Sequence, residues 1–256
     1  MTETIPAAST QPESSAFARL IGVLFSPAKT FESIARKPGL SWLLPVLILS
    51  GLTIVGGIYI NPKLDTDAAI KQAMKRVEAR GDLTDAQREQ ARHAVEGQFN
   101  AIKSGWIRFL GPCFVFIPLL FVSFVYWGIA KAMGAGGKYG TILAGYAFAM
   151  TPQIIKAILG IAVALPRESI DLNDAERIVK SSVGAFMDSE TISKPLMAVL
   201  TSIDLFEIWG LVLCSIMLAR TTKLSKNAAT ISVVSVWVIY VLFKVFGAAL
   251  GAAFGG

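Results

Sequence analysis

Residues 201–245 read TSIDLFEIWGLVLCSIMLARTTKLSKNAATISVVSVWVIYVLFKV, and the fold turns on how this stretch is read. It holds the end of one apolar run, about 195–219, and most of another, about 228–250. Between them lies ARTTKLSKN, with Arg220, Lys223 and Lys226 and no acid. A helix needs about 20 apolar residues to cross the hydrocarbon core of a bilayer. Two such runs joined by a short basic link predict a pair of antiparallel membrane helices. The anomaly is the carboxylate pair Asp204 and Glu207, placed inside the first run, where each ionised group is costly.

The rest of the chain agrees with the pair. Of 256 residues, 54% are apolar and 16% charged, and the mean hydropathy is +0.58. A soluble domain averages roughly 45–50% apolar and about 25% charged, so the balance predicts an integral membrane protein. The net charge of +6 does not imply nucleic acid, because the basic residues flank apolar spans or mix with acids. One histidine, His93, rules out a His-based metal centre and leaves no neighbour for a Cys/His nucleophile. Cys113 and Cys214 fall in opposite halves of the bilayer, so no disulfide is expected, and no cofactor is implied. Residues 1–15, MTETIPAASTQPESS, lack the basic and apolar regions of a cleavable signal and are expected to form a disordered cytoplasmic tail.

Five spans follow, at about 41–60, 106–131, 141–165, 195–219 and 228–250, the third kinked at Pro152. Lys131 and Lys138 stand without an acid in the second short connection, whereas 166–194 carries Arg167, Arg177, Lys180 and Lys194 against six acids. The positive-inside rule then places the N-terminus in the cytoplasm and the C-terminus outside, in the cytoplasmic (inner) membrane. Residues 61–105 are expected to form an extracytoplasmic helical hairpin broken at Gly81, with a capping box at Thr84–Gln87. A short outer helix is expected over 173–187. The predicted architecture is one all-α membrane domain over 41–250, without repeats.

Ahead of the first span, FARLIGVLFSPAKTFESIARKPG predicts an amphipathic helix over 16–38 lying in the cytoplasmic interface. Phe17, Leu20, Leu24, Phe31 and Ile34 would meet lipid, with Arg36 and Lys37 on the basic side. The alternative is a soluble helix docked on protein.

Within the bundle, Lys156 on the third span is nine residues in from Leu165, as Asp204 is from Pro195. Both are then about 14 Å deep, which makes Lys156 the expected partner of Asp204, and Lys244 a candidate for Glu207. This polar cluster admits a structural ion pair, a proton or solute pathway, or recognition of another molecule. Gly247, Gly251 and Gly255 form a small-residue face suited to close helix packing within the bundle or with a second copy. GAGGKYG (134–140) lacks the strand, helix and Lys-Ser/Thr pair of a phosphate loop and is expected to be a turn.

The segments VLFSPAKTFESIARKPG, YAFAMTPQII and SIDLFEIWG onward to LFKV resemble the Yip domain family of Ypt/Rab-interacting membrane proteins, in its bacterial branch, over about residues 17–250. The resemblance implies five spans with a cytosolic N-terminus. Eukaryotic relatives bind small GTPases through a longer N-terminal region; this chain lacks the DLYGP motif, so GTPase binding is not carried over. The expected function is a non-enzymatic scaffold that binds or organises membrane lipids and partner proteins. The alternative is a small transporter or channel using Lys156, Asp204 and Glu207 as a relay.

Overall fold

The computed structural model describes residues 15–78, 83–103, 107–188 and 191–254. The tail up to residue 14, the expected break at Gly81 and the last glycine of the packing face, Gly255, lie outside the described residues. The elements are α1 (Ala16–Phe25), α2 (Pro27–Arg36), α3 (Leu43–Tyr59), β1 (Leu64–Asp65), α4 (Asp67–Glu78), α5 (Asp85–Lys103), α6 (Gly111–Ala132), α7 (Tyr139–Ala149), α8 (Thr151–Ala164), β2 (Ile170–Asp171), α9 (Lys194–Ser202), α10 (Leu205–Thr221) and α11 (Lys226–Phe254). Short 3-10 turns occupy Leu172–Arg177 and Val183–Phe186, where one outer α-helix was expected.

Among the described residues four stretches are long and apolar enough to span a bilayer: Leu43–Lys63, Gly111–Ala132, Tyr139–Ala164 and Lys226–Gly251. The third is kinked between α7 and α8 at Met150, one residue before the first turn that carries Pro152. Proline suits that first turn because its missing N–H would have no partner there anyway. The run at 195–219 is not one helix. It is divided into the nine-residue α9 and the 17-residue α10.

The centre of the bundle is α7, apolar and buried around most of its circumference from Thr141 to Ala149. A helix that is apolar on all sides has to be enclosed, and α7 is enclosed by α2, α3, α6 and α10. On one side Ile142, Ala144 and Phe148 pack with Tyr126, Leu213, Met217 and Leu218. On the other, Leu143 and Ala147 pack with Val46, Leu49, Val115 and Leu119. Gly145 lets α10 approach, since a Cβ there would stand 2.6 Å from Met217 Cγ. Outside this core, α6 exposes Phe114, Ile117, Phe121 and Phe124 along one stripe, and α11 exposes Ile231, Leu242, Phe243 and Phe246. Apolar faces of that extent need a lipid or protein cover.

The segment ahead of the first span departs from expectation. It is two helices meeting at Ser26, and Phe31 and Ile34 are fully buried against Phe148, Met217 and Leu218 rather than turned to lipid. The apolar face of α2 therefore meets protein, which is the docked alternative. The reason is geometric: with α1 folded back on α2, that face fits onto α7 and α10. Exposed apolar surface is found instead on α1, where Phe17, Ile21 and Phe25 are 62%, 44% and 80% exposed at four-residue intervals. Leu20 packs toward Trp42 and Tyr146 at the junction of the two core clusters, and Leu24 is half-buried. Arg36 and Lys37 are exposed. Arg19, a charge in an apolar decapeptide, is buried with its guanidinium donating to Ser41 Oγ at 2.8 Å.

At the opposite end, β1 pairs in parallel with β2, Leu64 with Ile170 and Asp65 with Asp171. Lys63 Nζ donates to Leu165 O at 2.6 Å beside it. The helices α4 and α5 pack on each other, and the Thr84–Gln87 capping box is formed, Thr84 N donating to Gln87 Oε1 at 3.0 Å and Gln87 N to Thr84 Oγ1 at 3.3 Å.

Candidate functional site

The chain breaks between α9 and α10 because Asp204 leaves helical geometry, at φ −122° and ψ 139°, and becomes the N-cap of α10. Its Oδ1 accepts from the amides of Phe206 (2.9 Å) and Glu207 (3.2 Å). Four amides at a helix start lack intrahelical partners, and a capping aspartate satisfies such donors. The D-x-x-E spacing of Asp204 and Glu207 is a capping signature. The two acids therefore do not lie inside one continuous helix; one starts the helix and the other sits in its first turn.

The other oxygen of Asp204 faces the third span. Lys156 Nζ is 3.0 Å from Asp204 Oδ2, and Ser181 Oγ also donates to Oδ2 at very short range. Asp204 is 1% exposed, and the Lys156 side chain 29%. The loop after α8 is clipped into the break through its backbone as well: Val183 N donates to Ile203 O and Leu205 N to Ser181 O, both at 3.0 Å. Gly184 permits the fit, since a Cβ there would stand 2.9 Å from Thr201 N. The carboxylate thus accepts four hydrogen bonds from three separate segments.

Lys156 lies 17 residues along α7–α8 from Tyr139, Asp204 17 residues from Thr221, and Lys244 18 residues from Lys226. At 1.5 Å per residue all three are about 26 Å from the basic connections. Counting inward from Pro195 does not fix the depth of Asp204, because α9 is not continuous with α10.

Beside the ion pair is a polar cavity of about 280 Å³, lined by Lys156, Ser182, Thr201, Ser202, Glu207, Tyr240 and Lys244. Lys244 Nζ donates to Thr201 Oγ1 at 3.2 Å, with Glu207 on the same cavity wall. An apolar cavity of about 350 Å³ adjoins it, lined by residues that include Tyr126, Tyr146, Gly210, Cys214 and Trp237; Glu207 and Tyr240 belong to both. The hydroxyl residues and Tyr240 escaped the sequence reading: Ser181 and Ser182 come from a distant loop with no local signal.

No described atom comes within 4 Å of a Cβ built on Gly247, and Gly251 is half-buried. Residues 133–138 turn the chain from α6 into α7, with Gly134 and Gly137 at positive φ, and Tyr139 and Gly140 already belong to α7. Among the described residues no group of three or more His, Cys, Asp or Glu could hold a metal ion, and both cysteines are free.

Residues 21–247 match the family model for the Yip1 domain. Membrane protein YknW of Bacillus subtilis (strain 168) is 27% identical over 236 residues, which cover 92% of each chain. No solved structure matches.

Proposed function

The chain belongs to the Yip1 domain family, and from that premise we propose that it is a non-enzymatic membrane scaffold that binds or organises lipids and partner proteins. One observation carries this reading. Asp204, the most buried acid of the polar cluster, has both oxygens occupied by partners that hold α8, the 181–184 loop and α10 together. A group so engaged fastens helices; a relay needs one that exchanges partners. The exposed stripes of α1, α6 and α11 supply surface for lipid and protein neighbours. On this reading α10, with α9 folded at its outer end, supplies the fifth crossing, the basic connections face the cytoplasm of the inner membrane, and α4–α5 stand outside. The stripe of Phe17, Ile21 and Phe25 contacts the cytoplasmic leaflet, and the Gly247–Gly251 face is open to a second copy.

Reconstitution tests the reading. Proteoliposomes should show no proton or ion flux above protein-free vesicles, while in-membrane crosslinking from Gly247→Cys or Phe17→Cys should trap discrete neighbours. Flux that Asp204→Asn abolishes would instead establish the relay.

A further inference from the structure

The two adjoining cavities have an order along the membrane normal that neither has alone. On α10 the apolar cavity runs from Glu207 through Gly210 and Leu211 to Cys214, toward the basic end of the helix. On α11 it runs from Tyr240 through Trp237 to Val236, and on α7–α8 from Gln153 back to Tyr146, again toward the basic end. The polar cavity takes Lys156, Lys244, Thr201 and Ser202, which lie farther from that end. Three elements thus give the same sequence: charged and hydroxyl groups at the far edge of the hydrocarbon core, and an apolar slot descending from there toward mid-bilayer. That is the orientation of a lipid in the leaflet opposite the basic connections. At the divide stands Tyr240, with Trp237 one turn deeper along α11. Trp237 Nε1 is buried beside the Glu207 carboxylate.

The geometry points to a bound phospholipid whose head group carries both a phosphate and a primary ammonium, with one acyl chain in the apolar cavity. Charge selects the head group. Lys156 and Lys244 offer donors to a phosphate, together with Thr201 and Ser202, while Glu207 on the same wall accepts from an ammonium. With Asp204 behind Lys156, the lining is already balanced, two cations against two carboxylates. A purely anionic head group would leave Glu207 facing a second negative charge out of water, which is strongly unfavourable. A zwitterion meets both signs.

This inference rests on the lipid-binding part of the scaffold reading and names its site. The test is native mass spectrometry of the purified full chain, titrated with phosphatidylethanolamine, phosphatidylglycerol, O-phosphoethanolamine or inorganic phosphate. One phosphatidylethanolamine should be retained, preferred over phosphatidylglycerol by about tenfold, the factor one charge-assisted hydrogen bond supplies. Glu207→Gln should erase the preference, Lys244→Gln should lower retention of both lipids by weakening the phosphate contact, and Gly210→Leu, which fills the slot, should also lower retention of both. Leu242→Ala, on the exposed face of α11, should change nothing, and thermal melts of every variant report its folding. Equal retention of the two lipids, insensitivity to all three cavity variants, or displacement of the lipid by either free phosphate compound overturns the site. Should it fail while the crosslinks from Gly247→Cys persist, the scaffold reading stands with its lipid contacts elsewhere; loss of those crosslinks with lipid selectivity intact would overturn the scaffold alone.

Discussion

The two ends of the bundle are closed by opposite means. At the basic end, α1 and α2 fold over α7 and α10, and the closure is made of apolar surface: Val23, Phe31 and Ile34 are all fully buried. At the far end, the 181–184 loop closes over the gap between α9 and α10, and the closure is made of hydrogen bonds gathered at Asp204. The difference follows from the broken helix. A chain that leaves helical geometry inside a membrane frees amides and carbonyls, and each must find a partner there. A closed helical pair has no such debt and can seal with side chains alone.

Truncating the apolar closure should have the largest effect. Phe31→Ala should cost about 3–5 kcal/mol and Ile34→Ala about 2–5, read as loss of thermal stability in detergent. Phe25→Ala, 80% exposed, should leave the melt unchanged; a loss equal to that of Phe31→Ala would mean that α2 is not seated as described. The polar closure comes next. Removing one partner of a buried ion pair costs about 3–5 kcal/mol in soluble proteins, and less is expected in lipid, where unfolded helices also find partners. Asp204→Ala should exceed Lys156→Ala, because the acid also holds two amides and Ser181, whereas the lysine is partly open to water. The double Ala mutant should recover part of the Lys156 loss but none of the capping. Equal, additive losses would show that the two residues act separately.

Intermediate effects are expected where the loop seats. Gly184→Ala drives a methyl group into the backbone of Thr201 and should cost about 1–3 kcal/mol, as overpacking does; an unchanged melt would place the loop off α9. The smallest effect belongs to the ion pair of Arg220 and Glu32, 2.6 Å apart with both side chains more than a third exposed. Arg220→Ala should cost no more than about 1 kcal/mol, and added salt should reduce the difference further.

How much of this could be read beforehand depended on range along the chain. Apolar runs and basic connections are local, so the membrane class and four of the spans were legible. The Lys156–Asp204 proximity was anticipated from equal depths counted along α8 and along α9–α10, although the break at Asp204 invalidates the second count. That break had a local signal, D-x-x-E, which the surrounding apolar run concealed. The docking of α2 was harder, since an amphipathic helix shows which face is apolar but not whether lipid or protein meets it. Arg19 was the available clue, because a buried arginine needs polar neighbours such as Ser41, which a lipid face does not provide. Ser181 and Ser182 had none, being brought to the site only by the tertiary fold.

The pairing of Leu64–Asp65 with Ile170–Asp171 bears on how the protein is made. These two-residue strands are separated by five helices, α4 to α8, so α4 and α5 emerge from the ribosome long before their tether exists. At roughly 5–20 residues per second of synthesis, the hundred or so intervening residues take about 5–20 s. During that interval α4 and α5 are tied to the bundle through α3 and the turn that leads into α6, without the strand pairing. Pulse-labelled chains should therefore pass through a window in which 67–103 is open to protease, and the window should close once β2 and the α8 end that binds Lys63 have been delivered.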